Sequence, residues 1–106
     1  MRGETSMIIN IRQDDYGATL LCPFCGEDYL HHRVTTLYER PEDAVVTLEI
    51  AVASAAIVTR LCPSSETRNP SSRRHGLAIQ FECEMCGLVG ELTIAQHKGA
   101  TLLAWR

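Results

Sequence analysis

Cys22-Pro23-Phe24-Cys25-Gly26 and Cys83-Glu84-Met85-Cys86-Gly87 decide the fold of this chain. Each is C-x-x-C-G. Two residues between cysteines let both sulfurs of one turn reach a single tetrahedral ion at about 2.3 Å. The glycine after the second cysteine permits a positive φ, which turns backbone N–H groups toward the sulfurs and offsets thiolate charge. Two such knuckles complete a four-sulfur shell with no open position. That shell fits one structural zinc ion on Cys22, Cys25, Cys83 and Cys86. Rubredoxin-like iron would use the same ligands, and a redox dithiol pair is a further alternative. Zinc is preferred because nothing else in the chain points to electron transfer. A closed site of this kind supplies folding energy, on the order of 10 kcal/mol, and leaves no position for catalysis.

The flanks of both knuckles are β-type. Ala18–Leu21 leads into Cys22 and Leu77–Glu82 into Cys83, so the knuckles sit at strand ends as in a zinc ribbon. The knuckles are 57 residues apart, far beyond the compact spacing of about 15–20, so a further β-element is inserted between them. The segment 44–61 supplies it. Val46, Leu48, Ile50 and Val52 alternate with Val45, Thr47, Glu49 and Ala51, and Ile57–Leu61 returns after Ala53-Ser54-Ala55. Tyr29–Tyr38 is another strand, in which His32, Val34, Thr36 and Tyr38 are expected to share a face. Ser6–Ile11, the turn Asp14–Gly17, and the pair Glu91–Ala95 and Ala100–Trp105 around His97-Lys98-Gly99 complete the pattern. GATLL occurs at Gly17–Leu21 and again at Gly99–Leu103, where it marks two similar hairpin starts. No stretch keeps a 3.6-residue period. The expected fold is mostly β: a zinc ribbon with an inserted β-hairpin, forming a small antiparallel sheet in a single domain over 1–106.

At 106 residues with 45% hydrophobic and 22% charged residues, the composition is that of an ordinary globular domain. Aromatic residues make up only 6%, so the core must be aliphatic, with Trp105 covering it. Only Met7, Ile8 and Ile9 run together near the start, too short for a signal peptide. The apolar stretch 50–59 is too short to span a bilayer as a helix. A cytoplasmic location with reduced thiols, in a bacterial cell or a phage-infected host, is the expectation.

The net charge of −3 hides a division. Residues 1–59 carry four Arg against nine acids, and residues 60–106 carry five Arg and one Lys against four Glu. Within the second half, 63–75 is an exposed loop by composition, with Arg68, Arg73, Arg74 and His75 close together. With Lys98 they form a candidate patch for a nucleic-acid backbone or an acidic protein surface. No aromatic residue is interleaved, so a base-stacking platform is not indicated. The bland alternative is a solvated loop that balances the acidic first half.

Cys62 is the fifth cysteine, and Leu61-Cys62-Pro63 echoes Leu21-Cys22-Pro23 with Ser65 where a second cysteine would stand. A free thiol is the simpler reading. His31 and His32 are adjacent on a strand, so their rings point to opposite faces and do not share an ion. The rival functional class is a metal-dependent nuclease using His31 or His32, Asn69 and His75. It lacks the helix and the second divalent ion that such a site needs.

CPFCGEDYLHHRVTTLYER, NPSSRRHGLAIQFECEMCG and LTIAQHKGATLLAW together resemble a family of small zinc-ribbon proteins from actinobacteria and their phages. The resemblance covers most of 20–105 and is weakest over 42–66. It implies the fold and a zinc on Cys22, Cys25, Cys83 and Cys86, but no reaction, and Cys62 matches none of its motifs. The functional expectation is a non-catalytic, zinc-stabilised binding or adaptor module, without membrane contact or a small-molecule substrate.

Overall fold

A computed structural model describes residues 8–106 and, among them, eight strands and no α-helix. A two-stranded hairpin, β1 (Ile11–Asp14) and β2 (Gly17–Leu20), precedes a six-stranded antiparallel sheet. That sheet holds β3 (Leu30–Glu39), β4 (Val46–Ala53), β5 (Ala56–Pro63), β6 (Gly76–Cys83), β7 (Val89–His97) and β8 (Ala100–Trp105). Its spatial order is β5-β4-β3-β6-β7-β8. Ser6 and Met7, the start of the expected first strand, lie outside the described residues, and pairing begins at Ile11.

Turn chemistry accounts for the hairpins. Asp14 accepts a hydrogen bond from the Tyr16 N–H at 2.9 Å and another from the Thr19 hydroxyl at 3.1 Å, which fixes the Asp15-Tyr16 loop. Ser54-Ala55 links β4 to β5 and Lys98-Gly99 links β7 to β8, each pair with positive φ at both positions. That is the twist-matched geometry of two-residue hairpin loops. The inserted hairpin expected over 44–61 is therefore β4–β5. The repeated GATLL does follow a two-residue loop in one case, but in the other its glycine belongs to the loop itself.

The sheet departs from the expected alternation at one place. In the β3–β6 ladder His32 pairs with Phe81 and Thr35 with Ile79, so Arg33 and Val34 together oppose Gln80. This bulge moves the strand's face by one residue. His32, Val34, Thr36 and Tyr38 do not share one face. Thr35 and Leu37 join the side of Ile79 and Leu77, while Tyr38 turns to the other side and is 5% exposed. The shift lets a leucine continue the aliphatic face across to Ile50 of β4.

Among the described residues the buried apolar set is small: Cys22, Tyr38, Ala78, Cys83, Ala95 and Trp105. Trp105 packs edge-to-face on Phe81 with centroids 6.0 Å apart. A Cβ at Gly90 would lie 3.3 Å from both the Phe24 and Trp105 rings, so the lack of a side chain there lets the first knuckle close over the tryptophan. Trp105 thus buries at the cysteine end of the sheet. No helix of the described residues is long and apolar enough to cross a membrane.

Candidate metal centre

The two knuckles fold alike because their sequences demand the same backbone. Gly26 N–H donates to the Cys22 carbonyl and Gly87 N–H to the Cys83 carbonyl, both at 2.9 Å. Cys22 N–H donates to the Glu27 carbonyl at 2.8 Å, and Cys83 N–H to the Leu88 carbonyl at 3.0 Å. Gly26 and Gly87 hold φ of 82° and 76°, where an L side chain is strained. One knuckle connects β2 to β3 and the other turns β6 into β7. Leu30 pairs with Cys83, and Glu84 N–H donates to the Tyr29 carbonyl at 2.9 Å, so the two turns are held side by side.

The result is a tight group of four sulfurs, all within 4.8 Å of one another. Cys22 and Cys86 approach to 3.8 Å and Cys25 and Cys83 to 3.6 Å. A tetrahedral ion with sulfur bonds of about 2.3 Å requires sulfurs about 3.8 Å apart, so the group is dimensioned to hold a metal ion such as zinc. Phe24 N–H points at the Cys22 sulfur from 3.4 Å. The backbone N–H groups of Cys86 and Met85 bring the Cys83 thiol down to about 7 against its burial. Cys25 receives the Glu27 N–H, which lowers its pKa, but desolvation and the three neighbouring sulfurs outweigh it and push it up to about 12. Crowded thiols that resist losing further protons are what a divalent cation relieves.

The Arg-rich loop is more ordered than its composition implied. After Pro63 it makes a short 3₁₀ turn, Ser64–Glu66, and then folds onto the sheet. The Ser64 hydroxyl donates to the Ala44 carbonyl and accepts from Thr47, each at 2.7 Å. Asn69 accepts from the Ser71 N–H at 3.0 Å and donates to the Arg74 carbonyl at 2.9 Å. Ser71 is 5% exposed and donates to the Gln96 carbonyl at 2.8 Å. Segment 63–75 is thus not exposed along its whole length.

Its cations divide into two groups. Arg73 grips Asp43 through two nitrogens at 2.8 Å and Glu42 at 2.9 Å, and Arg74 reaches Glu42 at 3.1 Å. Hydrogen bonding and charge from Arg73 hold the Asp43 carboxyl below its usual range. Arg68 is largely exposed, and among the described residues its ion pair is with Glu91, at 3.7 Å. His75 accepts the Arg40 N–H at 2.9 Å, and its carbonyl accepts from Gln96, two residues before Lys98. The loop and the Lys98 turn therefore share one end of the sheet. The Glu42-Asp43 clamp was not foreseen, although the acidic Pro41-Glu42-Asp43 turn and the charge division were its signal.

The His–Asn–His arrangement is not assembled. His31 and His32 lie opposite Glu82 and Phe81, near the cysteines, whereas His75 precedes Gly76 at the far end of β6. Six strand residues at about 3.3 Å each put about 20 Å between them. The Asn69 side chain is committed to its own loop. His31 bonds Glu84 at 2.8 Å and His32 packs on Phe81. Cys62 lies on β5 rather than in a turn, with its thiol 3.3 Å from Glu49. Comparison with protein-family models, curated proteins and solved structures found no match.

Proposed function

We propose that the chain is a non-catalytic binding module of zinc-ribbon type, stabilised by a single structural zinc on Cys22, Cys25, Cys83 and Cys86. The observation that carries this reading is the sulfur spacing, which matches a closed tetrahedral shell from four protein ligands. A closed shell leaves no position for water or substrate, so the ion's role is to hold the knuckles together. The partner is an acidic protein surface, met along the loop side of the sheet, where His75 and Lys98 stand at one end and Arg68 reaches toward Glu91 of β7. The internal pairing of Arg73 and Arg74 with Glu42 and Asp43 supports this over a nucleic-acid backbone, because it leaves fewer cations free for phosphates. Kinship with the zinc-ribbon proteins of actinobacteria and their phages, and action inside the cell, belong to the same proposal.

The metal half is tested by elemental analysis and cobalt substitution. One ion per chain with the spectrum of a tetrahedral tetrathiolate is expected, and a chain that folds fully without metal would refute it. The binding half is tested by anisotropy with an acidic peptide and with duplex DNA at several salt concentrations. Peptide binding weakened several-fold by Arg68→Glu and Lys98→Glu is expected. Duplex binding that is tighter than peptide binding and falls steeply with salt would overturn the choice of partner.

A further inference from the structure

We propose that the aliphatic face of the six-stranded sheet is the interface of a homodimer, in which two copies pack face to face as a β-sandwich. Ladder partners place Leu37, Leu48, Ile50, Leu77, Ile79 and Ile94 on one side of the central strands. Toward the edges the same side carries Val52, Ile57 and Leu61, and on the far edge Leu103. These outer residues are 44%, 69%, 71% and 54% exposed.

A sheet face of this kind is the one a domain normally buries against a second layer. Here the 63–75 loop covers the opposite side, through Ser64 on Thr47, whose neighbour Leu48 points the other way. The described strands contact chiefly their ladder neighbours, so no second layer of strands stacks on the aliphatic side. Only the cysteine end is closed, by Phe24 beside Trp105.

The occupant is a second copy for two reasons. First, the face carries no Lys or Arg, and its one carboxylate, Glu39, stands at the strand end. It complements an equally neutral apolar surface, and it repels no twin. A recess of about 210 Å³ between Leu37, Leu77 and Ile94 gives a partner's aliphatic side chain a seat. Second, the size fits. Strands of about eight residues at about 3.3 Å each, across six strands about 4.8 Å apart, give a face on the order of 600–700 Å². Each partner in a standard interface contributes about 800 Å². Two such faces related by a twofold axis pack about 10 Å apart and close the assembly at two copies.

The test is the mass of the zinc-loaded 1–106 chain by sedimentation. Twice the 11.8 kDa chain mass is expected for the wild type. Ile57→Glu with Leu61→Glu on β5, and separately Leu103→Glu on β8, should yield monomers. Val58→Glu and Leu102→Glu, on the same edge strands but the opposite face, should stay dimeric. All five positions are exposed in the single chain, so the variants should keep their zinc and β circular dichroism. A wild type that sediments as one chain at 100 µM overturns the proposal. So does dissociation by Val58→Glu to the same extent as Leu61→Glu, which would indicate edge-to-edge pairing of β5 instead.

Discussion

At the scale of single residues, the chemistry of a cysteine follows from its neighbours. Cys22, Cys25, Cys83 and Cys86 face one another from two turns rich in backbone donors, whereas Cys62 projects from a regular strand beside a carboxylate. Desolvation and then the Glu49 contact raise the Cys62 pKa, so its thiolate is scarce at neutral pH. Cys62→Ser should keep one zinc per chain and a melting temperature within about 3 °C of wild type. Cys22→Ser should lose the ion and the cooperative transition, and elemental analysis with calorimetry reads both outcomes. A second residue-scale expectation concerns the loop clamp. Because Arg73 depresses the Asp43 pKa, the folded value lies below the unfolded one, which is near pH 4. The clamp's contribution is therefore fully present above about pH 4 and fades as pH falls through the depressed native value. NMR titration should show Asp43 with a midpoint below the ordinary carboxylate range, returning to it in Arg73→Ala. A midpoint already ordinary in the wild type would remove the clamp.

At the scale of elements, the two positive-φ hairpin loops differ in how well their residues suit them. Lys98-Gly99 has glycine at its second position, whereas Ser54-Ala55 places an alanine at φ 63°. A left-handed conformation costs an L-residue about 1–2 kcal/mol. Ala55→Gly should therefore raise stability by about 0.5–1 kcal/mol, after the looser unfolded chain is counted. The urea midpoint should rise with an unchanged slope, and a fall in midpoint would contradict the loop assignment. The same mismatch explains what could be read from the sequence and what could not. Val46–Val52 announces a strand by alternation, and Ala53-Ser54-Ala55 only an ambiguous joint, because alanine and serine do not advertise positive φ. The His32–Thr35 bulge belongs to two strands at once, so neither strand's pattern contains it. The 63–75 segment is loop-like by composition, but its docking rests on Gly76. A Cβ there would fall 2.1 Å from the Asn69 side-chain oxygen Oδ1 and 2.8 Å from Pro70. That fit between a glycine and a loop six to seven residues away is geometric and leaves no periodic trace.

At the scale of the whole molecule, the four-cysteine group was legible because ligand chemistry fixes its spacing, whereas the strand order was not, because pairing partners lie far apart in the chain. The two are connected through Trp105. Six apolar residues are buried among those described, and Cys22, Cys83 and Trp105 are half of them. The tryptophan sits against Phe81 and beneath Phe24, which the first knuckle carries between two of the cysteines. Removal of an ion held by the four-cysteine group would free four thiols that repel as they ionise, and would unpin Phe24 from the ring it covers. A sheet with so little enclosed core has few other contacts to hold it, since a domain of this size is marginal without a cross-link or metal. Chelation should therefore shift Trp105 emission to the red and abolish the β circular dichroism in one transition, with both signals restored by added zinc. Because this is the only tryptophan, its emission reports the metal end alone, while circular dichroism reports the sheet. If emission shifted while the sheet signal stayed intact, the ion would be fastening the knuckle and not the fold. Coincident loss, with a midpoint that rises with free zinc as binding to the native state requires, would show that the ion fastens the whole sheet.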